Sequence, residues 1–180
     1  MVEIRFHGRG GQGTVTASKA LADAIMMEDK WVQTFPEYGV ERRGAPVVSF
    51  TRIDDQRIYM RCKIYEPDHV VVMDPTLMEV VDVTEGLKEG GWVIINSEKA
   101  PEQFKISDRF KVRTFDAGSL ALKYGLGSKA APIVNMPILG AFAKITGLVG
   151  KKALLDAVQM ESPFKKEENV KAAEEAYERA

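Results

Sequence analysis

The chain has little of what redox and metal chemistry uses. Among 180 residues there is one cysteine and there are two histidines. An iron–sulfur cluster takes about four thiolates, and a structural zinc site about four Cys or His ligands. Cys62, His7 and His69 alone supply neither. An excess of positive charge is also missing, since the formal net charge is −1. No global basic field therefore points to nucleic acid. No apolar run nears the roughly 20 residues of a membrane span. The opening MVEIRFHG has no signal-like apolar core and runs straight into a strand-like pattern, so a cytoplasmic location is expected. No Ser–His–Asp set, carboxylate pair or GDG…NN-type thiamine diphosphate motif stands out.

What is present is the material of a soluble globular protein, 45% hydrophobic and 28% charged. The length suits one domain with a sizeable core, and 1–180 reads as a single unit without repeats or an interdomain linker. EIRFHG (3–8) predicts a short strand. Thr14 to Met27 predicts a helix with Ala17, Leu21, Ala24 and Ile25 on one stripe. WVQTF (31–35) predicts a second strand, so the chain opens as a βαβ unit of a parallel sheet. VVSFTRI (47–53) follows. RIYMRCKIY (57–65) alternates cleanly, with Ile58, Met60, Cys62 and Ile64 on one face and Arg57, Tyr59, Arg61 and Lys63 on the other. That period predicts a half-buried antiparallel strand with Cys62 an inert buried thiol and the basic residues on a solvated face.

HVVVM (69–73) and GWVIIN (91–96) are continuous apolar runs, expected for buried parallel strands. Asp74-Pro75-Thr76 ends the first, where an acid serves as a helix cap or faces a ligand at the end of an open sheet. FKVRTFD (110–116) is a further strand. AGSLALKYG, a helix over 135–148 capped by Asn135 and ending near Gly147, KKALLDAVQM and a charged tail helix with a solvated face complete the chain. The pattern predicts an α/β, Rossmann-like fold: a mixed, mostly parallel sheet flanked by helices, with an antiparallel hairpin.

Chemistry concentrates in two loops. HGRGGQGT (7–14) places Gly8, Gly10 and Gly13 in a G-x-G-x-x-G elbow between strand and helix, with Gly11 beside them. Glycine allows positive φ and close backbone approach to a phosphate. The first-turn amides and the helix dipole favour an anion, and Thr14 adds a hydroxyl. The usual ligands of such loops fit poorly. A dinucleotide fold wants an acid at the end of the second strand, and here Thr34-Phe35 stands there, with Glu37 beyond Pro36. A P-loop wants a lysine before the Ser or Thr, and here Thr14 follows Gly13 directly. A tight structural turn without ligand is the bland alternative, and for His7 a structural strand-end role. The second loop, FPEYGVERRGAPVV (35–48), sets Arg42 and Arg43 beside Glu41 between glycines. Guanidinium forks suit phosphates and carboxylates, while an interface ion-pair loop needs the same residues.

Together the loops carry a resemblance. GRGGQG followed about 30 residues later by FPEYGVERRGAPV, with DHVVVMDPTL (68–77) and NMPILGAFA (135–143), resembles the gamma subunit, or gamma domain, of the 2-oxoacid:ferredoxin oxidoreductases, over nearly the whole chain. Such enzymes, the pyruvate:ferredoxin oxidoreductases among them, convert a 2-oxoacid and coenzyme A to acyl-CoA and CO2 and pass the electrons to ferredoxin. The resemblance implies a chain that binds no cofactor alone and has no turnover alone. Thiamine diphosphate and the clusters would lie on alpha, beta and delta partner subunits. The gamma unit would help bind coenzyme A, hold the assembly together, or both. On this reading Gly8–Gly13 amides face a coenzyme A phosphate or a subunit interface, Arg9, Arg42 and Arg43 supply cations, and Gln12 bonds across the loop or to a partner. The competing class, a freestanding nucleotide-binding module, leaves GVERRGAP unexplained. Pyruvate, branched-chain 2-oxoacids, 2-oxoglutarate and indolepyruvate are not separated by the sequence.

Overall fold

In the computed structural model, residues 1–37 and 44–180 are described. The strands are β1 (Val2–Arg9), β2 (Trp31–Pro36), β3 (Pro46–Asp54), β4 (His69–Val72), β5 (Trp92–Asn96) and β6 (Lys111–Phe115). They form one sheet in the order β2-β3-β1-β4-β5-β6. β1, β4, β5 and β6 run parallel, and β3 runs antiparallel to both of its neighbours. The helices are α1 (Thr14–Met26), α2 (Ala117–Lys123), α3 (Asn135–Thr146), α4 (Lys151–Glu161) and α5 (Lys166–Arg179). A two-residue hairpin, β7 (Gly127–Ser128) with β8 (Ala131–Pro132), lies between α2 and α3.

Two sequence expectations need correction. β1 and β2 point the same way but are not neighbours, because β3 lies between them. The β2–β3 connection is too short for a crossover, so β3 turns back onto β2 and its far edge is left for β1. The second correction concerns 57–65, which forms no strand. β3 has β2 on one edge and β1 on the other, and the segment does not pair with the outer edge of β2 either. It is held instead by side chains. Arg52 Nη2 donates to the Lys63 carbonyl (3.2 Å), and Gln33 Nε2 donates to the Ile58 carbonyl (3.2 Å). Ile64 alone of the expected apolar face is fully buried, and Met60 and Tyr59 are exposed. Cys62 is exposed too, its Sγ accepting from Arg52 Nη2 at 3.7 Å.

One face of the sheet is apolar and covered by helices. Ile4 and Phe6 of β1 meet the α1 stripe Ala20, Leu21, Ala24 and Ile25 and the wholly buried first nine residues of α3. Gly140 lets α3 lie directly on α5, since a Cβ there would strike the Ala173 carbonyl oxygen. Ala172, Ala173 and Ala176 supply the small-residue face of α5, and its charged residues turn outward. α3 ends at Gly147 with φ +65°, a left-handed cap whose N–H reaches the Ala143 carbonyl. The opposite face carries Val70, Val72, Val93 and Ile95, covered by Val83 and Leu87 from the irregular β4–β5 crossover. The chain therefore winds one way from β1 through α1 and the other way from β4 onward. The reversal lies between β1 and β4, where open α/β sheets bind ligands beyond the strand ends.

Candidate functional site at the sheet reversal

The glycine elbow follows β1 at this reversal. Gly8 is required by packing, since a Cβ there would meet Thr14 Oγ1. Gly13 precedes α1 with φ +78°, and a Cβ there would stand 2.5 Å from Asn135 Nδ2. Strain and crowding coincide at that position. Asn135 is the first residue of α3, one place inside the expected cap. Its Oδ1 accepts from the Met136 N–H at 3.0 Å.

Arg9 does not project into a free anion site. Its Nε donates to Asp74 Oδ2 (2.9 Å), Nη2 to Thr76 Oγ1 (2.8 Å) and Nη1 to the Gly44 carbonyl (3.1 Å). Gln12 closes the same ring, its Oε1 accepting from the Arg9 N–H (2.7 Å) and its Nε2 donating to Asp74 Oδ2 (3.1 Å). Asp74 also caps the short turn Pro75–Glu79 through the Thr76 N–H (3.0 Å). Burial opposes its charge, but hydrogen bonds from Thr76, Gln12 and Arg9 outweigh burial and hold its carboxyl below the usual range. The crevice between β1 and β4 is thus bridged by the chain's own side chains, and of the two readings offered for Asp74 the structure bears out the cap and adds the ion pair with Arg9. It caps a turn and neutralises the loop arginine together.

Loop amides divide into two groups. Gly10 N–H donates to the Ala45 carbonyl, Gln12 N–H to the Arg9 carbonyl, and the Gly10 carbonyl accepts from Gly44. Among the described residues the amides of Gly11, Gly13, Thr14, Val15 and Thr16 have no such partner. Thr14 Oγ1 is buried with no partner either. Beside these free amides opens a pocket of about 200 Å³. Its walls come from the loop and α1 (Gly11, Gln12, Gly13, Thr16), from Ile133 before α3 and Asn135 and Met136 at its start, and from the α4–α5 link (Ser162, Pro163, Phe164) with Asn169.

The structure thus brings together Gly8, Arg9, Gly10, Gly11, Gln12, Gly13 and Thr14. Arg42 and Arg43 lie outside the described residues. Phe164 and Asn169 were not legible as site residues, because only the docking of α5 on α3 carries them to the elbow. His7 precedes the loop but turns its ring into the opposite face, where burial, with Arg5 adding to it, pushes its pKa down to about 3. Among the described residues no group of three or more His, Cys, Asp or Glu could hold a metal. None of the described helices is long and apolar enough to cross a membrane.

Fold and elbow define a class: an open α/β domain with a glycine-rich loop between strand and helix at its reversal point. Residues 3–179 match the model of the pyruvate ferredoxin/flavodoxin oxidoreductase family. The chain belongs to that family, as a gamma subunit. It is 54% identical to the pyruvate/ketoisovalerate oxidoreductases common subunit gamma of Thermococcus kodakarensis, over 98% of this chain and 96% of that one. Among solved structures it resembles pyruvate oxidoreductase subunit PORC of Thermotoga maritima, with TM-score 0.82, 36% identity, and 98% and 95% of the two chains covered. The fold recurs in a 2-oxoglutarate:ferredoxin oxidoreductase from Magnetococcus marinus with 2-oxoglutarate, coenzyme A and succinyl-CoA bound. There the TM-score is 0.76 and the identity 19%, over 99% of this chain and 30% of that one.

Proposed function

We propose that this chain works inside a multisubunit pyruvate or related 2-oxoacid:ferredoxin oxidoreductase, contributing coenzyme A binding at the glycine elbow and contacts that hold the assembly together. Alpha, beta and delta subunits would carry thiamine diphosphate and the clusters, and ferredoxin would accept the electrons. The observation that carries the coenzyme A part is the row of amides at the first turn of α1 that have no partner among the described residues, beside a pocket at the sheet reversal. Unpaired amides at a helix start favour a phosphate, and coenzyme A brings a pyrophosphate and a ribose phosphate. The enzyme with this fold from Magnetococcus marinus holds coenzyme A, and the Thermococcus relative is named a subunit common to two oxidoreductases.

The geometry refines the residue roles. Gly8, Gly10, Gly11 and Gly13 shape the elbow, Gln12 and Arg9 brace it against Asp74, and Thr14 sits beneath it. Arg42 and Arg43 remain the cations assigned to the phosphates. Titration of coenzyme A into the assembled enzyme carrying Arg42→Ala and Arg43→Ala tests this. A loss of affinity of about tenfold or more is expected, the scale of one lost charge-assisted contact. Unchanged affinity with a weakened complex would leave assembly as the sole role. Catalysis belongs to the partners on this reading, so the pure chain with 2-oxoacid, coenzyme A and a dye acceptor should show no turnover.

A further inference from the structure

The two edges of the sheet are unlike. β6 carries Lys111 and Arg113, both exposed. Charges of that kind keep an edge strand from pairing with another chain. β2, with the sequence WVQTFP, has no charged residue. Its aromatic and β-branched residues suit a paired strand, yet it has a neighbour on one side only.

The open groups on that edge can be named. The Glu37 N–H donates to the Val48 carbonyl at 2.9 Å, and the register runs from Trp31 opposite Asp54 to Pro36 opposite Ser49. In an antiparallel ladder the bonded pairs recur at every second residue. Trp31, Gln33 and Phe35 therefore bond to β3, and Val32 and Thr34 turn their N–H and C=O groups outward. Among the described residues these outward groups have no partner.

The flank of the edge is aromatic and cationic. Trp31 is half exposed, and Tyr59 of the 57–65 segment is 77% exposed. The Arg57 guanidinium lies over both rings, 5.9 Å from the Trp31 centroid and 5.4 Å from that of Tyr59. Among the described residues Arg57 takes part in no ion pair. Its cation is held beside the edge by ring faces, with its charge unmatched.

We propose that an extended segment of another subunit of the oxidoreductase adds to β2 as a further strand, bonding to the outward groups of Val32 and Thr34 and bringing a carboxylate to Arg57. In this mode main-chain bonds along the edge supply affinity, and flanking side chains select the partner. A second copy of this chain would bring an uncharged strand, with Glu37 beyond it already held by Lys63, so charge matching favours a different chain. The proposal rests on the assembly part of the function proposed above and assigns the surface that performs it.

The test compares variants in the assembled enzyme by native mass spectrometry over a dilution series. Val32→Pro deletes one outward N–H and leaves the β2–β3 bonds in place. Thr114→Pro is the matching change on β6, where the Lys111 N–H and the Phe115 carbonyl bond inward. Val32→Pro should weaken the hold on the gamma chain about tenfold or more, the scale of one partner group left unpaired. Arg57→Glu, an exposed change that spares the fold, should weaken it by about as much. Thr114→Pro should leave it unchanged, and circular dichroism of each isolated chain should match the wild type. Association unmoved by Val32→Pro or by Arg57→Glu, or weakened equally by Thr114→Pro, would overturn the assignment. So would loss of a gamma–gamma contact with the other subunits retained, which would make a second copy the occupant. If Arg42→Ala and Arg43→Ala then still loosen the complex, the assembly reading survives without the β2 edge. If the wild-type chain co-purifies with no other subunit, both readings fail.

Discussion

Strand β1 separates two unlike halves of the molecule. Ile4 and Phe6 point to the helices and are buried among aliphatic and aromatic side chains, with the Phe6 ring 6.0 Å from that of Phe142. Glu3, Arg5 and His7, alternating with them, point to the other face and are also buried. There Arg52 Nε donates to Glu3 Oε1 at 2.7 Å, and Arg5 Nη2 donates to the carbonyls of Val83 and Glu85. Among the described residues Arg5 Nε, His7 Nε2 and Arg52 Nη1 have no partners. One face gains stability from area removed from water. The other depends on polar groups finding each other in place of water, and does so incompletely. Equal burial therefore hides two different sensitivities.

The sharpest way to break the contrast is to damage each half in kind. Phe6→Ala should cost about 3–5 kcal/mol in urea unfolding, as a cavity in a close-packed core. Glu3→Ala should cost about as much, ~3–5 kcal/mol, because it strands the fully buried Arg52 guanidinium. Repair separates them. Glu3→Leu with Arg52→Met removes both charges and should recover most of the Glu3→Ala loss, whereas no second substitution on the polar face can refill the Phe6 cavity. If the double variant is as unstable as Glu3→Ala, the ion pair is not the reason that residue matters.

Protons reach the two halves differently. His7, pushed down to about 3 mainly by burial, stays neutral in the folded chain while the unfolded chain takes up a proton near pH 6.5. Its folded pKa is depressed, so the folded state is fully favoured above pH 6.5 and loses stability as pH falls from there toward 3. Within that window the slope should approach about 1.4 kcal/mol per pH unit. His7→Leu should flatten the dependence between pH 6 and 4 in urea titrations. An unaltered slope would place the acid sensitivity elsewhere.

The legibility of the sequence follows the same division. The α1 stripe and the α3 ending at Gly147 were readable from period and capping residues, and the strands 69–73 and 91–96 from unbroken apolar runs, because burial on both faces leaves no place for polar side chains. RIYMRCKIY has the period of a strand and forms none, since periodicity reports alternation and not backbone pairing. The insertion of β3 beside β1 was hidden for the same reason: pairing order is set by which edges remain available. At the site, the glycine elbow was visible from its spacing, but its partners were not. Asp74 is 65 residues from Arg9, and Phe164 and Asn169 reach the pocket only through helix docking.

The smallest expected effect lies where the halves meet, at Asp74. Its ion pair with Arg9 is partly exposed, 17% and 29% for the two side chains, so Asp74→Asn should cost only about 1 kcal/mol or less in stability. Its pH signature lies below that of His7. The folded pKa is depressed below 3.8, so the stabilisation is present above 3.8 and is lost as pH falls through the lower folded value. Its consequence for the loop should exceed its consequence for the fold. An amide has one acceptor oxygen and no charge, so it cannot serve both the Thr76 pair and the Arg9–Gln12 pair, and Arg9 is held less firmly beside the open amides. Amide hydrogen exchange at Gly10 and Gln12 should quicken while exchange in the β4 and β5 core is unchanged. Quickening throughout the sheet would show instead that the β1–β4 bridge supports the whole reversal point and not the elbow alone.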